Sequence, residues 1–251
     1  MSTTDSPRYP QIADDLRRRI LRGDLAPGAK LPSERVMAED AGVTRGTVRE
    51  AIKVLRAEGL VVPVHGSGVF VRDQPRMIRL ARNRLSRGER ARTGGTFSAD
   101  MTALGKEPRV DAEIVLAEAD SSLALDLEAD EGTPLLARRR RMYGDDTPMQ
   151  LATSYFPADI ARGTPIEQRD TGHGGVYARL EEMGHHLVTP FVERVGARAP
   201  SREEREWFGL AQGVPLLTVT RIARTAERPV EVNRMLMRAD YYELVYEIPA
   251  D

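Results

Sequence analysis

Four residues in one short stretch carry the most specific chemistry of this chain. Arg45, Gly46, Thr47 and Arg49 lie outside a stripe of Val48, Ala51, Ile52 and Leu55, whose spacing predicts a helix. Arginine can grip O6 and N7 of guanine with two parallel hydrogen bonds, and threonine can meet a phosphate or a thymine methyl. Gly46 lacks a side chain and would allow close approach to a duplex. At the first turn of a helix such groups meet base edges and phosphates in a DNA major groove. Thr44 directly precedes them and is expected to cap the helix.

The neighbouring residues predict the elements that would hold this helix in place. Tyr9, Ile12, Ala13, Leu16 and Ile20 mark an amphipathic first helix, stopped by Gly23 and by Leu25-Ala26-Pro27-Gly28. Ser33 follows Pro32 and should cap a short helix running to about residue 41. Ala41-Gly42 supplies a turn, and Val43 can plug between helices. Gly59 should end the recognition helix. Leu60–Val64 and Val69–Val71 then read as strands around His65-Gly66-Ser67-Gly68, a hairpin with a small polar tip suited to a minor groove or a phosphate track.

A length of 251 residues suffices for two modest domains with real cores. The net charge of −1 hides an asymmetry. Residues 1–92 hold 19 Lys and Arg against 11 Asp and Glu, whereas the remainder holds 18 against 27. A basic head attracts phosphate and an acidic body adds no nonspecific affinity. With no cysteine, disulfides and thiolate metal sites are excluded. The start, MSTTDSPRYP, is polar, and no apolar run approaches a membrane span, so a cytoplasmic protein without membrane contact is expected. The four histidines are His65, His173, His185 and His186. The last two fall in a predicted strand, where neighbours face opposite ways and make a poor metal pair. No metal and no cofactor are expected, and an enzyme is not.

Residues 1–73 therefore read as a DNA-binding domain, 74–95 as a linker and 96–251 as a second domain. The linker carries Arg76, Arg79, Arg82, Arg84, Arg87, Arg90 and Arg92. Such a run is either a solvated spacer or a segment that follows a DNA backbone. Beyond it the pattern is α+β. Strands are expected at Arg109–Ala117, Leu135–Tyr143, Met149–Phe156, His186–Ala197, Leu216–Ala226 and Val230–Met237, and helices at Ser121–Leu127, Val176–Met183 and Ser201–Phe208. Gly144-Asp145-Asp146 and Glu227-Arg228-Pro229 look like hairpin turns, each between an arginine-bearing strand and a returning one. A mostly antiparallel sheet with covering helices follows.

Residues Tyr9 to Val71, through Leu31-Pro32-Ser33-Glu34-Arg35, Val43-Thr44-Arg45-Gly46-Thr47-Val48 and Gly66-Ser67-Gly68-Val69-Phe70-Val71, resemble the winged-helix domain of the GntR family of bacterial transcription regulators. The resemblance implies DNA contacts at Arg35, Thr44, Arg45, Gly46, Thr47, Arg49, His65 and Gly66. Arg35 also stands four residues before Glu39, the spacing of a helical ion pair. Residues 96–248 resemble the UTRA effector domain of the HutC branch, with a chorismate-lyase-like fold. The residues behind this are Gly105, Pro134-Leu135, Pro148, Tyr155 with Pro157, Val176-Tyr177, Gly184, Pro215-Leu216, Arg221, Pro229-Val230-Glu231 and Asp240-Tyr241.

In sugar-phosphate-sensing members of that branch, alternating arginines of the first hairpin, a serine-x-tyrosine pair and a glutamate and tyrosine of the last hairpin form the effector site. Strand alternation splits Arg138–Arg141 into two pairs; the pair expected to face the effector is Arg139 and Arg141, joined by Tyr177 and Glu231. Gly175 stands where the serine would be and Met237 where the last tyrosine would be. Both changes remove polar contacts, so the small-molecule effector expected is not a typical phosphosugar but larger or more apolar, with an anionic group still allowed. The body of the aminotransferase-like branch needs a Schiff-base lysine, yet no lysine follows Lys106. The implied function is a ligand-responsive repressor that binds a pseudo-palindromic double-stranded operator as a homodimer. The alternative is a constitutive repressor whose second domain serves only dimerisation or protein contacts.

Overall fold

The computed structural model describes residues 9–64, 66–72, 77–80, 88, 95–188, 190–210 and 213–246. The chain divides into two compact units. The first comprises Met1–Arg76, Ala199–Pro215 and Ala239–Tyr241; the second comprises Met77–Arg198, Leu216–Arg238 and Tyr242–Asp251.

Three helices and a hairpin from the N-terminal part of the chain, with one further helix from residues 199–215, build the first unit. Helix α1 spans Tyr9–Arg22 and turns Ala13 and Leu16 inward. Helix α2 (Glu34–Ala41) begins where Ser33 Oγ accepts from the Val36 amide at 3.3 Å, and it ends at Gly42 with φ 62°. That left-handed conformation makes the sharp turn into the next helix and suits glycine. Helix α3 (Arg45–Ala57) is capped by Thr44, whose Oγ1 accepts from the Thr47 amide at 3.2 Å. Its buried stripe of Val48, Ala51, Ile52 and Leu55 packs with Leu16, Leu31, Met37, Val61 and Val71 in one core. Strands β1 (Val61–Val64) and β2 (Gly68–Val71) pair antiparallel, Val61 opposite Val71, and Lys30 adds a bridge to Phe70.

In the second unit, β3 (Met77–Leu80) is the one described strand of the segment expected to be linker. It pairs in parallel with β10 (Tyr242–Val245). Most of the other residues between 73 and 94, with their arginines, lie outside the described residues, as does His65. Helix α4 (Thr96–Ala103), absent from the sequence-based expectation, leads into β4 (Pro108–Glu118). The chain continues through α5 (Ser121–Leu127), β5 (Pro134–Gly144), β6 (Thr147–Pro157), the short α6 (Ala158–Ala161) and a 3-10 turn at Pro165–Glu167. Then come α7 (Gly175–Glu182), β7 (Val192–Arg198), β8 (Leu216–Arg224) and β9 (Pro229–Arg238). Helix α8 (Arg202–Phe208), with its Ser201–Glu204 capping box, belongs to the first unit.

The six long strands form one antiparallel sheet in the order β4-β5-β6-β9-β8-β7. The two arginine-bearing hairpins, β5–β6 and β8–β9, thus occupy mirrored places about the β6–β9 seam. Strand β7 starts at Val192, so His185 and His186 precede it in a loop after α7. Apolar residues alternate along the central strands and bury part of each face. Leu135 and Val232 pack under α5, and Leu136, Phe156 and Ala223 pack under α6 and α7.

Candidate functional site

Two places combine exposed or cavity-facing polar groups with a rigid frame. At the start of α3, Thr44, Arg45, Gly46 and Arg49 are exposed and Thr47 is half-buried. Arg35 is exposed on α2 and donates to Glu39 at 2.7 Å, the i,i+4 pair that competes for it. Arg49 donates to Glu34 from Nη2 at 2.9 Å and from Nε at 3.3 Å. Gly66 is exposed in the turn between β1 and β2, with φ 73°. Caps and stripe together aim the first turn of α3 outward, the geometry needed to enter a groove.

The second place is a cavity of about 480 Å³ on the α7 side of the sheet. Strands supply Arg138, Arg140 and Met142 from β5, Arg221 from β8, and Glu231 and Asn233 from β9. The mouths of two helices complete it: Thr96 and Ser98 of α4, and Gly174, Gly175, Val176 and Tyr177 where α7 begins. A helix N-terminus presents main-chain N–H groups and a partial positive charge.

The choice between the two arginine pairs is corrected here. Arg139 and Arg141 are exposed on the opposite face, and Arg139 lies 3.8 Å from Glu113. Arg138 and Arg140 take the cavity side because Leu136 and Met142, at the same parity, are buried there. The β5–β6 register shifts at Met142/Tyr143, next to the turn, so counting back from the turn goes wrong by one residue. Tyr177 and Glu231 are both brought to the cavity as expected.

The cavity's cations differ in how they are engaged. Arg138 is 3% exposed and donates to the carbonyls of Ile166, Gln168 and Arg169, tying β5 to the loop that leads into α7. Burial, reinforced by Arg140, pushes its guanidinium down to about 10, against the pull of Glu231 and Asp170. Arg140 donates from Nη2 to Ser154 Oγ at 2.6 Å and to Asn233 Oδ1 at 3.4 Å, while its buried Nε makes no hydrogen bond. Burial lowers its proton affinity too, and Glu231 offsets part of that.

Glu231 is fully buried; the Tyr177 phenol interacts with it, yet neither carboxylate oxygen reaches full hydrogen-bond geometry. Beside it the Tyr177 phenol is pushed well above its ordinary value, by burial first and by the Glu231 charge second. Tyr177 also packs on Phe191, ring centroids 5.4 Å apart. Asn233, two residues beyond Glu231 on the same face, and the α4 residues were not singled out from sequence. Strand period points to the former; the latter begin just past the expected linker and carry no amphipathic stripe to mark a helix. Among the described residues, no group of three or more His, Cys, Asp or Glu is placed to hold a metal ion. No described helix is long and apolar enough to cross a membrane.

Three helices with a wing, followed in the same chain by a sheet that carries an arginine-lined cavity, have the make-up of a DNA-binding regulator, and comparison with known proteins agrees. The profile of the bacterial regulatory proteins of the gntR family matches residues 8–71, and that of the UTRA domain matches residues 104–243. The chain belongs to the GntR family, in the branch that carries a UTRA domain, and is a DNA-binding transcription regulator. An HTH-type transcriptional regulator of Streptomyces coelicolor is 30% identical over 232 residues, 90% of this chain and 86% of that one. The HTH-type transcriptional repressor NagR of Bacillus subtilis is 28% identical over 247 residues, 96% of this chain and 94% of NagR. A crystal structure of a GntR-family regulator aligns over 98% of this chain and 99% of its own, with TM-score 0.64 and 28% identity. PhnF from Mycobacterium smegmatis shares the fold, with TM-score 0.59 and 24% identity over 96% of this chain and all of that one.

Proposed function

We propose that this regulator is a repressor that binds a pseudo-palindromic double-stranded DNA operator as a homodimer, and that an organic anion filling the cavity of its second unit releases it. In this reading Arg35, Thr44, Arg45, Gly46, Thr47 and Arg49, with the wing residues His65 and Gly66, meet the DNA. Residues 74–95 link the two functions, and the protein works in the cytoplasm by binding, without turnover.

One observation carries the reading: the Glu231 carboxylate, fully buried and short of hydrogen-bond donors, faces a cavity that also holds Arg140 with an unused Nε–H. A buried carboxylate with few donors is costly, so a fold that keeps one supports a partner arriving from outside. The partner's chemistry follows from the lining. Arg140 and the start of α7 favour an anionic group, and Glu231 requires a hydroxyl or an amine opposite it. A hydroxy- or amino-bearing organic acid satisfies both. Gly175 at the start of α7 offers no hydroxyl for a phosphate, which favours a carboxylate over a phosphosugar.

Release requires the ligand to prefer the conformation that does not bind DNA, and its affinity must then fall on operator binding by the same factor. The test is a thermal-shift screen of organic acids with and without hydroxyl or amine groups, followed by gel shifts on the promoter of the protein's own gene. Stabilisation by a hydroxy or amino acid that also releases the promoter is expected. A promoter complex that no cavity-binding compound weakens would leave the second unit to dimerisation alone.

A further inference from the structure

Glu34 and Arg49 form a fork that spans two helices. Glu34 is the first residue of α2, and its Oε1 and Oε2 accept from Nε and Nη2 of Arg49, in the second turn of α3, at 3.3 and 2.9 Å. Both ends are anchored. Ser33 caps α2 beside Glu34, and Val48, next to Arg49, is fully buried. The Arg49 hydrogen bond holds the Glu34 carboxyl below its ordinary value, so it stays ionised at neutral pH. Arg35 has only a partner on its own helix, with both side chains at least 60% exposed, whereas the Glu34 side chain is 28% exposed.

A carboxylate on one edge of a guanidinium does two things. It removes rotamer freedom that the arginine would otherwise lose on binding, and it leaves the remaining Nη N–H groups directed away from the carboxylate, ready for a planar acceptor pair. It also cancels the charge that draws an arginine to any phosphate, whatever the sequence. Directional donors remain while nonspecific attraction falls, which is how specificity is gained against competing sites.

We propose that Glu34 is a positioning residue for DNA recognition: it holds Arg49 as a pre-set reader of one guanine in each half-site and suppresses sequence-independent binding. Arg49 is then a base reader.

The full-length protein can be used to select its own site from a random duplex pool. Binding to that duplex and to a scrambled duplex of equal composition is then measured across salt for wild type, Glu34→Gln, Arg49→Ala and the double variant. Glu34→Gln is expected to bind the scrambled duplex several-fold more tightly and to lose at least tenfold of its preference for the selected one. That loss should fall on the same base pair that Arg49→Ala relaxes, and the double variant should lose no more preference than Arg49→Ala alone. Equal weakening on both duplexes, in step with a lowered melting temperature, would reduce Glu34 to a stabiliser of α2. Equal tightening on both with preference intact would reduce it to a charge effect, and additive losses in the double variant would uncouple it from Arg49. Each of these overturns the proposal.

Discussion

Arg221 donates its Nε–H to Glu193 at 2.7 Å across the paired strands β7 and β8, and this contact matches one of the cavity's three cations from within the sheet. Arg221 is 3% exposed, and although burial opposes its charge, Tyr177 and Glu193 hold its proton affinity above the ordinary value. Its charge is matched inside the fold, and Arg138 is committed to backbone carbonyls. Arg138 and Arg140 each keep a buried Nε–H without a hydrogen-bond partner, so the polar capacity left over lies with these two and Glu231.

Glu231→Gln should therefore separate stability from response. A neutral amide removes a buried charge but also the charge that offsets the burial of Arg138 and Arg140, and the two effects oppose, so the melting temperature of the ligand-free protein is expected to change little. Affinity for the inducing acid should fall at least tenfold, about 1.4 kcal/mol. Calorimetric titration and a melting curve on the same sample read both. A variant that melts lower and binds normally would make Glu231 a structural residue.

Arg138→Ala should release the loop it clamps. Three carbonyls lose a charged donor at once, with an expected cost of about 3 kcal/mol. Hydrogen exchange should quicken between residues 166 and 172 before it changes in β8 or β9. Arg139→Ala and Arg141→Ala, on the exposed face, should stay within about 0.5 kcal/mol of wild type.

Arg45→Ala should weaken operator binding by roughly 1–3 kcal/mol and relax base choice at one position per half-site, because Arg45 is exposed at the first turn of α3. Uniform weakening across all operator variants would mean that Arg45 touches only phosphate. Footprints on single-base operator variants distinguish the two.

Asp120→Ala should destabilise the second unit by about 1 kcal/mol, since Asp120 Oδ1 caps α5 by accepting from the Leu123 amide at 2.7 Å. That hydrogen bond, more than the nearby Arg234, lowers the Asp120 carboxyl below its ordinary value. A lowered folded value means that the stabilisation is present above the unfolded carboxyl's range and is lost as pH falls through the folded value. The gap in denaturant midpoint between wild type and variant should thus be full at pH 6 and close in strong acid.

Local elements were readable where local physics decides. Ser33, Thr44, Ser201 and the stripe of α3 act within four residues, so their helices appear where spacing and capping predict them. Helix α5 spans Ser121–Leu127, the predicted range. The strand expected from His186 instead begins at Val192, because the preceding residues continue a loop from α7, and nothing in their alternation distinguishes loop from edge strand. Helix α4 was missed because Thr96–Ala103 has no marked amphipathic stripe and follows a glycine pair that reads as a hinge. Strand β3 was missed because its partner, β10, lies more than 150 residues away in the chain.

The amino-acid sequence by itself determined a capped three-helix head with arginines at its reading turn, an acidic strand-rich body, and the family to which both belong. These rest on spacing, capping and charge, which act over a few residues. Tertiary structure alone decided that Arg138 and Arg140 face the cavity, that Arg138 holds a loop, that Glu193 neutralises Arg221, and that Glu34 holds Arg49. Each depends on strand register or on residues far apart in the chain. Shifting a strand by one residue exchanges its faces, so side-chain direction at the site is settled by sheet register and packing rather than by the local run of arginines.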